Sequence, residues 1–562
     1  MTPKPQADPP ATEPPDVGGG SRTARLAASA GVVGAATLAS RLLGLVRDQV
    51  LAYRFGAGDA MDAFNVASRI PNLMRDLFAE GAMSAAFVPT FMRRLTKDGR
   101  GPALRLGNQV VNALIAATGV VVVAAILFAE PLVRVLAGDY AEVPGKLELA
   151  AQLTRILLPV LTLVAVAAAM MGMLNSLDRF FVPALSPAMY NVGIIAGGAL
   201  LVPLMPGLGL APVVAVAVGA LLGAMGQVAL QTPALYREGF RYRPALDPSD
   251  PGLRDILRLM GPGTLAGAAV QINLLVNMVL AAGEGTGAVS WLSYAFRVMY
   301  LPIGLFGVSV AAAAVPLLSR HGAANDVGGM RETASRALRM TLAINLPATV
   351  GLMVLAVPIV ALIFERGAFT AADTSATADA LLLYAPGLAG YAAVRIAVPC
   401  FYALGSSRTP AVLSVAAVAL NIGLNLVLVR VLGYRGLALG TSVAALANAL
   451  ALLILLRRRL DGLDLRRVLT LVGKVAVASA AMGAAAWIVH DRLLDVWEGA
   501  GFALRLGRLA AAIAAGLVVL VLSARLLRLR ELDEAAGQIA ARLRRRRAAS
   551  PPNPEPPHRP GR

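Results

Sequence analysis

Residues 104–128 read LRLGNQVVNALIAATGVVVVAAILF, with a single charge, Arg105, beside the start of the run. A helix of that length, rising about 1.5 Å per residue, covers the roughly 30 Å hydrocarbon core of a bilayer. Runs of the same kind recur along most of the chain. The expected spans are 27–54, 62–92, 104–128, 150–175, 182–203, 210–232, 256–282, 288–318, 336–364, 378–404, 410–431, 436–457, 467–489 and 504–528, fourteen in all. The chain is 57% hydrophobic and 15% charged, where a soluble domain carries about 25% charge. Its mean hydropathy is +0.68. These features predict an all-α polytopic membrane protein with 14 transmembrane helices.

The net charge of +18 does not point to nucleic acid, because most Lys and Arg sit between apolar runs. Clusters follow span 2 (Arg93, Arg94, Lys97, Arg100, Arg105), flank the loop after span 6 (Arg237, Arg241, Arg243, Arg254, Arg258) and follow span 12 (Arg457, Arg458, Arg459, Arg466, Arg467). The alternate loops are short and often acidic. Positive charge marks the cytoplasmic side, so both termini are expected in the cytoplasm, which requires an even number of spans. The single cysteine, Cys400, lies in an apolar run and reads as packing. With three His and one Cys, no metal site is expected.

Five features recur at one offset. Val88-Pro89 returns as Val315-Pro316, Pro131 as Pro358, Pro159 as Pro386, Pro183 as Pro410, and Gly209-Leu210-Ala211 as Gly436-Leu437-Ala438, each 227 residues on. Ala67-x-Arg69 returns as Ala295-x-Arg297, one residue further on. Spans 1–6 and 7–12 are therefore read as two copies of one six-helix unit. An even number of spans per copy gives both the same orientation, with an axis along the membrane normal and a cavity between them. This divides the chain into a disordered cytoplasmic tail (1–25), a first lobe (26–233), a cytoplasmic linker (234–254), a second lobe (255–460), spans 13 and 14 (461–530) and a basic cytoplasmic tail (531–562), which can also touch anionic lipid.

Charge inside the spans is the functional signal. An ionised side chain at bilayer depth costs about 2.5–3.5 kcal/mol on insertion scales. Span 1 carries Arg41, Arg47 and Asp48. On span 2, Asp62, Asn65, Arg69, Asn72, Asp76 and Glu80 follow helical spacing, a stripe about 80° wide that is expected to face the charges of span 1, with Arg75 to one side. Arg297 in span 8 and Arg395 in span 10 add cations from the second lobe. An arginine-rich cavity suits a ligand with several negative charges, because the guanidinium fork pairs phosphate and stays charged when desolvated. Arg41, Arg47, Arg75 and Arg297 are the candidate binders. Asp48, Asp62, Asp76 and Glu80 are candidate gating groups, or the charge partners that make the arginines insertable. Arg69, Asn72 and Arg395 are candidate cavity residues, with interfacial placement of Arg69 and a structural role for Arg395 also open.

The amide pairs Asn273/Asn277 and Asn421/Asn425 have no carboxylate beside them and read as interhelical hydrogen bonding. No nucleotide-binding or catalytic motif is found. Neither enzyme chemistry nor a cofactor is expected, and energy would come from membrane potential or an ion.

At these residues the sequence resembles the MurJ/MviN family. The resemblance is carried by Ser40–Asp48 (SRLLGLVRD), Phe55-Gly56-Ala57-Gly58, Asp62-Ala63-Phe64, Pro71-Asn72-Leu73-Met74-Arg75 and Phe78-Ala79-Glu80-Gly81-Ala82-x-Ser84-x-Ala86-Phe87-Val88-Pro89. In the second half it rests on Tyr294-Ala295-x-Arg297 and Pro316-Leu317-Leu318-Ser319. It covers about 26–528 and is most specific in span 2. Members are lipid II flippases of the multidrug/oligosaccharidyl-lipid/polysaccharide exporter superfamily. The resemblance implies two six-helix lobes in a pseudo-twofold V around a cationic cavity, plus two C-terminal helices lining a groove for the lipid tail. It implies transfer of lipid II, the undecaprenyl-pyrophosphate-linked disaccharide-pentapeptide, across the bacterial inner membrane for peptidoglycan synthesis, with membrane lipids and the cell-wall synthesis machinery as partners. The family's essential charges fall on Arg41, Arg47, Asp62, Arg75 and Arg297. Asp76 and Phe296 depart from some relatives, and the amides on spans 7 and 11 replace acidic ligands of sodium-linked relatives, which argues against sodium coupling. The rival readings are a flippase for another polyprenyl-linked glycan and a non-transporting scaffold for cell-wall enzymes. A cationic-drug exporter is disfavoured by the arginines.

Overall fold

The computed structural model of the chain describes residues 19–76, 83–303, 308–496, 501–529 and 531–532, and no β-strand occurs among them. The first half holds α1 (Gly19–Phe55), α2 (Asp59–Arg75), α3 (Met83–Asp98), α4 (Arg100–Leu127), α5 (Ala129–Leu136), α6 (Lys146–Leu157), α7 (Val160–Ser176), α8 (Phe181–Ala196) and α9 (Val214–Arg237). The second half holds α10 (Pro251–Ala282), α11 (Ala288–Pro302), α12 (Val308–Ala323), α13 (Val327–Val354), α14 (Ala356–Phe364), α15 (Ala371–Tyr384), α16 (Gly387–Ala403), α17 (Arg408–Leu432) and α18 (Tyr434–Arg459). Two further helices follow, α19 (Leu465–Val496) and α20 (Phe502–Leu526).

Every expected span falls on one of these helices or on a consecutive pair. Nine helical segments among the described residues are long and apolar enough to cross a membrane, or ten if α15 and α16, bent by 43°, form one crossing. The expected spans outside that set are 1, 2, 7 and 8. They supply polar groups at the boundary between the lobes, and Val270–Ala282 of span 7 is itself a shorter apolar helix.

The repeat is structural. The starts of α4 and α13, α5 and α14, α7 and α16, and α8 and α17 are each 227 residues apart. Even the break before the short helix repeats: Phe128 has φ −103° and ψ 21°, and Leu355 has φ −102° and ψ 21°. Pro131 and Pro358 then sit in the first turn of α5 and α14, where a missing N–H removes no helical bond. The expected span 336–364 runs across the Leu355 break, because apolarity continues through it while the backbone does not.

The hydrophobic cores draw the V. At one end a single core joins the lobes, taking Leu51, Met61 and Val66 from one and Val289, Tyr294 and Phe369 from the other. At the opposite end, which carries the arginine clusters, the cores are separate: Phe87, Phe91 and Met173 in the first lobe, Leu318, Cys400 and Phe401 in the second. Met173 and Cys400 are repeat equivalents, 227 apart, and Cys400 is fully buried, as packing requires.

Within the first lobe α1 packs on α8, and α8 on α9. The α8–α9 contact is made by glycines. A Cβ on Gly219 would lie 2.4 Å from the Gly193 carbonyl oxygen, and one on Gly223 would lie 2.8 Å from the Met189 carbonyl oxygen. Such small-residue stripes let helix backbones close on each other where lipid supplies no hydrophobic drive. The extra helices α19 and α20 pack together and dock on α13 and α14, where Arg505 pairs with Glu365 at 3.0 Å and Arg339 with Glu531 at 3.1 Å.

The segment between the lobes is a strap held on the first one. Asn108 and Asn112 donate to the Arg243 carbonyl at 2.8 and 2.7 Å, and Gln109 accepts from the Asp247 N–H at 2.7 Å. Asp250 caps α10 through the N–H groups of Gly252 and Leu253, and also pairs with Arg94 of α3 at 3.0 Å. The first turn of α10 is thereby anchored to the first lobe, with Leu253 and Ile256 in that lobe's core.

Candidate functional site

A cavity of about 850 Å³ opens between the lobes. Its walls come mainly from α1, α2, α7, α8 and α11, and they include Arg41, Arg47, Asp48, Asn72, Arg75 and Arg297. The polar groups meet at Asp48. Arg47 gives it two bonds to one oxygen, at 3.0 and 2.9 Å, and Arg297 reaches the same Oδ1 from the other lobe. Arg47 also donates to Asn191 Oδ1 at 3.0 Å, and Asn191 donates back to the Ser40 carbonyl at 3.1 Å. The guanidinium of Arg47 is thus aimed by α8 as well as by its own neighbour. Four arginines and one carboxylate among the lining charges leave the cavity net positive. In such a partly dehydrated site, each unit of charge interacts several-fold more strongly than in water.

The stripe on α2 does not face span 1, contrary to expectation. Helical spacing puts its members on one side, but α1 packs against α8, so that side of α2 meets the second lobe. Asn65 donates to Ser290 Oγ at 3.0 Å. Arg69 donates to Gln271 of α10 at 3.2 Å and does not line the cavity. Asp76 accepts from Arg75 at 2.9 Å and from Gln271 at 3.4 Å. Of the described members of the stripe, only Asn72, with Arg75 beside it, reaches the cavity. Glu80 lies outside the described residues. Arg395 sits one layer back, donating to the hydroxyl of the cavity residue Tyr300 at 2.7 Å.

Asp62 is fully buried at the end where the lobes share a core. It accepts the N–H of Gly287 at 2.7 Å, the N–H of Ser290 at 3.1 Å and the Ser290 hydroxyl at 2.7 Å. A carboxylate of one lobe therefore caps α11 of the other, where the free N–H groups and the helix dipole favour negative charge. Two further cross-lobe bonds flank it, Thr286 to Asp59 at 2.6 Å and the Ala368 N–H to the Tyr53 carbonyl at 2.9 Å.

Three groups at the lobe boundary were not marked in the sequence. Lys146, 4% exposed, bridges Asp59 at 2.7 Å and Asp62 at 3.3 Å. Its ammonium lies 4.2 Å from the centre of the Tyr140 ring. Burial, with Asp62 and Asp59 nearby, holds the Tyr140 phenol far above its ordinary range, so the ring stays neutral under the cation. Gln271 and Asn191 are the others. The one signal for Lys146 was a single cation closing its own loop, which also carries Asp139 and Glu142.

Three of the four amides form one cluster, and the fourth, Asn273, has a buried Oδ1 with no hydrogen-bond partner among the described residues. Asn425 donates to Asn277 at 2.6 Å, Asn277 to Asn421 at 3.3 Å, and Asn421 to Thr441 at 3.5 Å, tying α10, α17 and α18 together.

Two repeat-related lobes, a joined core at one end and a cationic cavity between them define a two-lobed helical membrane transporter. The fold is shared with an inward-facing multidrug resistance MATE family transporter of the MOP superfamily, at TM-score 0.64 and 18% identity over 76% of this chain and 95% of that one. A lipid II flippase MurJ in an inward closed conformation matches with TM-score 0.71 and 26% identity, covering 88% of this chain and 99% of the other. The family model for lipid II flippase MurJ matches residues 51–506. The probable lipid II flippase MurJ of Vibrio cholerae is 36% identical over 480 residues, 82% of this chain and 89% of its own length. The lipid II flippase MurJ of Burkholderia cenocepacia is 33% identical over 427 residues, 75% and 82% of the two chains. The chain belongs to the lipid II flippase MurJ family.

Proposed function

We propose that this chain flips lipid II, carrying its pyrophosphate-linked head group from the inner to the outer leaflet of the bacterial inner membrane by alternating access. The observation that carries the reading is the shared Asp48 oxygen, gripped by Arg47 of one lobe and Arg297 of the other at the cavity wall. A pyrophosphate entering the cavity offers several oxygens to the same two guanidiniums and competes with Asp48 for them. A ligand shifts a two-state equilibrium only through different affinities for the two states. An anion that takes over the interlobe bridge has that property, because the bridge exists only when the lobes are close. Arg41 and Arg75 extend the positive wall along the head group. Asp62 latches the far end by capping α11 and releases it when the cavity opens outward. The arginine-rich end faces the cytoplasm, with both termini on that side, and the latch end faces the periplasm. Membrane potential or an ion resets the cycle.

The test is growth. Expressed in a flippase-depleted bacterium, the chain restores growth, while Arg47→Ala and Arg297→Ala reach the membrane in normal amount and do not. Normal growth with both variants would overturn the reading.

A further inference from the structure

We propose that Lys146 is a positioning residue of the periplasmic seam, the buried cation that keeps Asp62 charged and aimed at the N-terminus of α11. The proposal deepens the latch reading and rests on it.

Asp62 has no exposed surface, and a buried carboxylate needs charged as well as neutral partners to stay ionised. Its neutral donors, Gly287 and Ser290, all belong to the other lobe. Its cation, Lys146, comes from its own lobe, at the first position of α6. When the lobes part at this end, Asp62 loses every donor on α11 and keeps Lys146. The lysine is thus the one partner common to the closed and parted seam. It also holds Asp59, the acceptor of Thr286, so one ammonium orients both acidic contacts to the second lobe. The face of Tyr140 fixes the ammonium from a third side, 4.2 Å from the ring centre, a contact favourable to a desolvated cation.

The repeat supports the assignment. The residue 227 positions after Lys146 is Asp373, which accepts the indole N–H of Trp291 in the first turn of α11 at 2.9 Å. In both lobes this position braces the helix that meets the seam. The first lobe places a cation there because its seam helix presents a carboxylate, and the second places an anion because its seam helix presents a donor.

Hydrogen exchange of the full-length protein in detergent tests this directly, because Gly287 and Ser290 donate their amides to Asp62. Lys146→Met keeps the length of the side chain and removes its charge. The expected result is amide exchange at least about tenfold faster in the segment 284–294, with the helix interiors of α4 and α9 unchanged, and slowed flipping. Lys146→Arg returns both to near wild type. Unchanged exchange in 284–294, or a loss of protection spread across α4 and α9, would overturn the proposal, since the first denies the contact and the second makes Lys146 a general fold residue. If instead the wild type fails to flip lipid II while Lys146→Met still frees 284–294, the flippase reading fails and the seam assignment stands.

Discussion

Asp48 is the residue on which the site turns. One oxygen serves two arginines from opposite lobes, so it offsets part of the cavity's positive charge and joins the lobes. In the proposed cycle, Asp48→Asn removes the internal competitor for a pyrophosphate. An internal competitor lowers apparent affinity by the fraction of protein it occupies, so the variant is expected to bind inorganic pyrophosphate roughly tenfold more tightly by calorimetry. It is expected to flip more slowly, because release is no longer assisted by the returning carboxylate. Weaker pyrophosphate binding by the variant would show that Asp48 orders the arginines rather than competing with the ligand. The charged half of this site was legible in sequence. Arg41, Arg47, Asp48, Arg75 and Arg297 stand in apolar runs where ionised groups are costly, and the structure gathers all five at one cavity. Gln271 and Asn191 carry no such cost and left no trace. Lys146 sits just ahead of its apolar run, where a cation looks like an ordinary flank.

At the scale of elements, the supporting geometry is helix against helix. Asn191, which aims Arg47, sits on α8, and α8 is seated by its glycine contact with α9. A Cβ at Gly219 would meet the Gly193 carbonyl oxygen at 2.4 Å and the Gly197 Cα at 2.9 Å. Gly219→Val is therefore expected to cost about 1–3 kcal/mol by overpacking and to lower flipping through displacement of Asn191. Gly119→Ala on α4, whose Cβ would meet nothing within 4 Å, is expected to leave the melting temperature of the purified protein equal or higher. Equal melting temperatures for Gly219→Val and wild type would contradict this account of the α8–α9 contact. Helical periodicity correctly put the polar residues of α2 on one side. It could not say which neighbour that side meets, because periodicity is a property of one helix and packing is a property of two. The stripe was therefore expected against α1 and lies against α10 and α11.

At the scale of the molecule, the repeat organises everything above. Arg69 and Arg297 are repeat mates; one reaches Gln271 on α10 and the other Asp48 on α1. Each lobe thus sends an arginine across the boundary to the first helix of the other, and only one of the two meets a carboxylate. Asp62 and Ser290, one hydrogen bond apart at 2.7 Å, occupy matching positions of the two copies at the same offset as Arg69 and Arg297. The boundary is a pseudo-twofold axis along which charge has been made asymmetric. The 227-residue offset made this architecture readable from sequence, since prolines and glycines mark helix breaks that composition alone leaves blurred. In the proposed cycle this asymmetric charge moves a lipid head group across the membrane. The most direct measurement is the accessibility of lipid II at the outer leaflet of cells depleted of their own flippase. Wild type is predicted to restore that accessibility within the depletion period, and Arg47→Ala and Arg297→Ala to leave lipid II on the inner leaflet. Accessibility equal in all three, or absent with wild type, would contradict the claim.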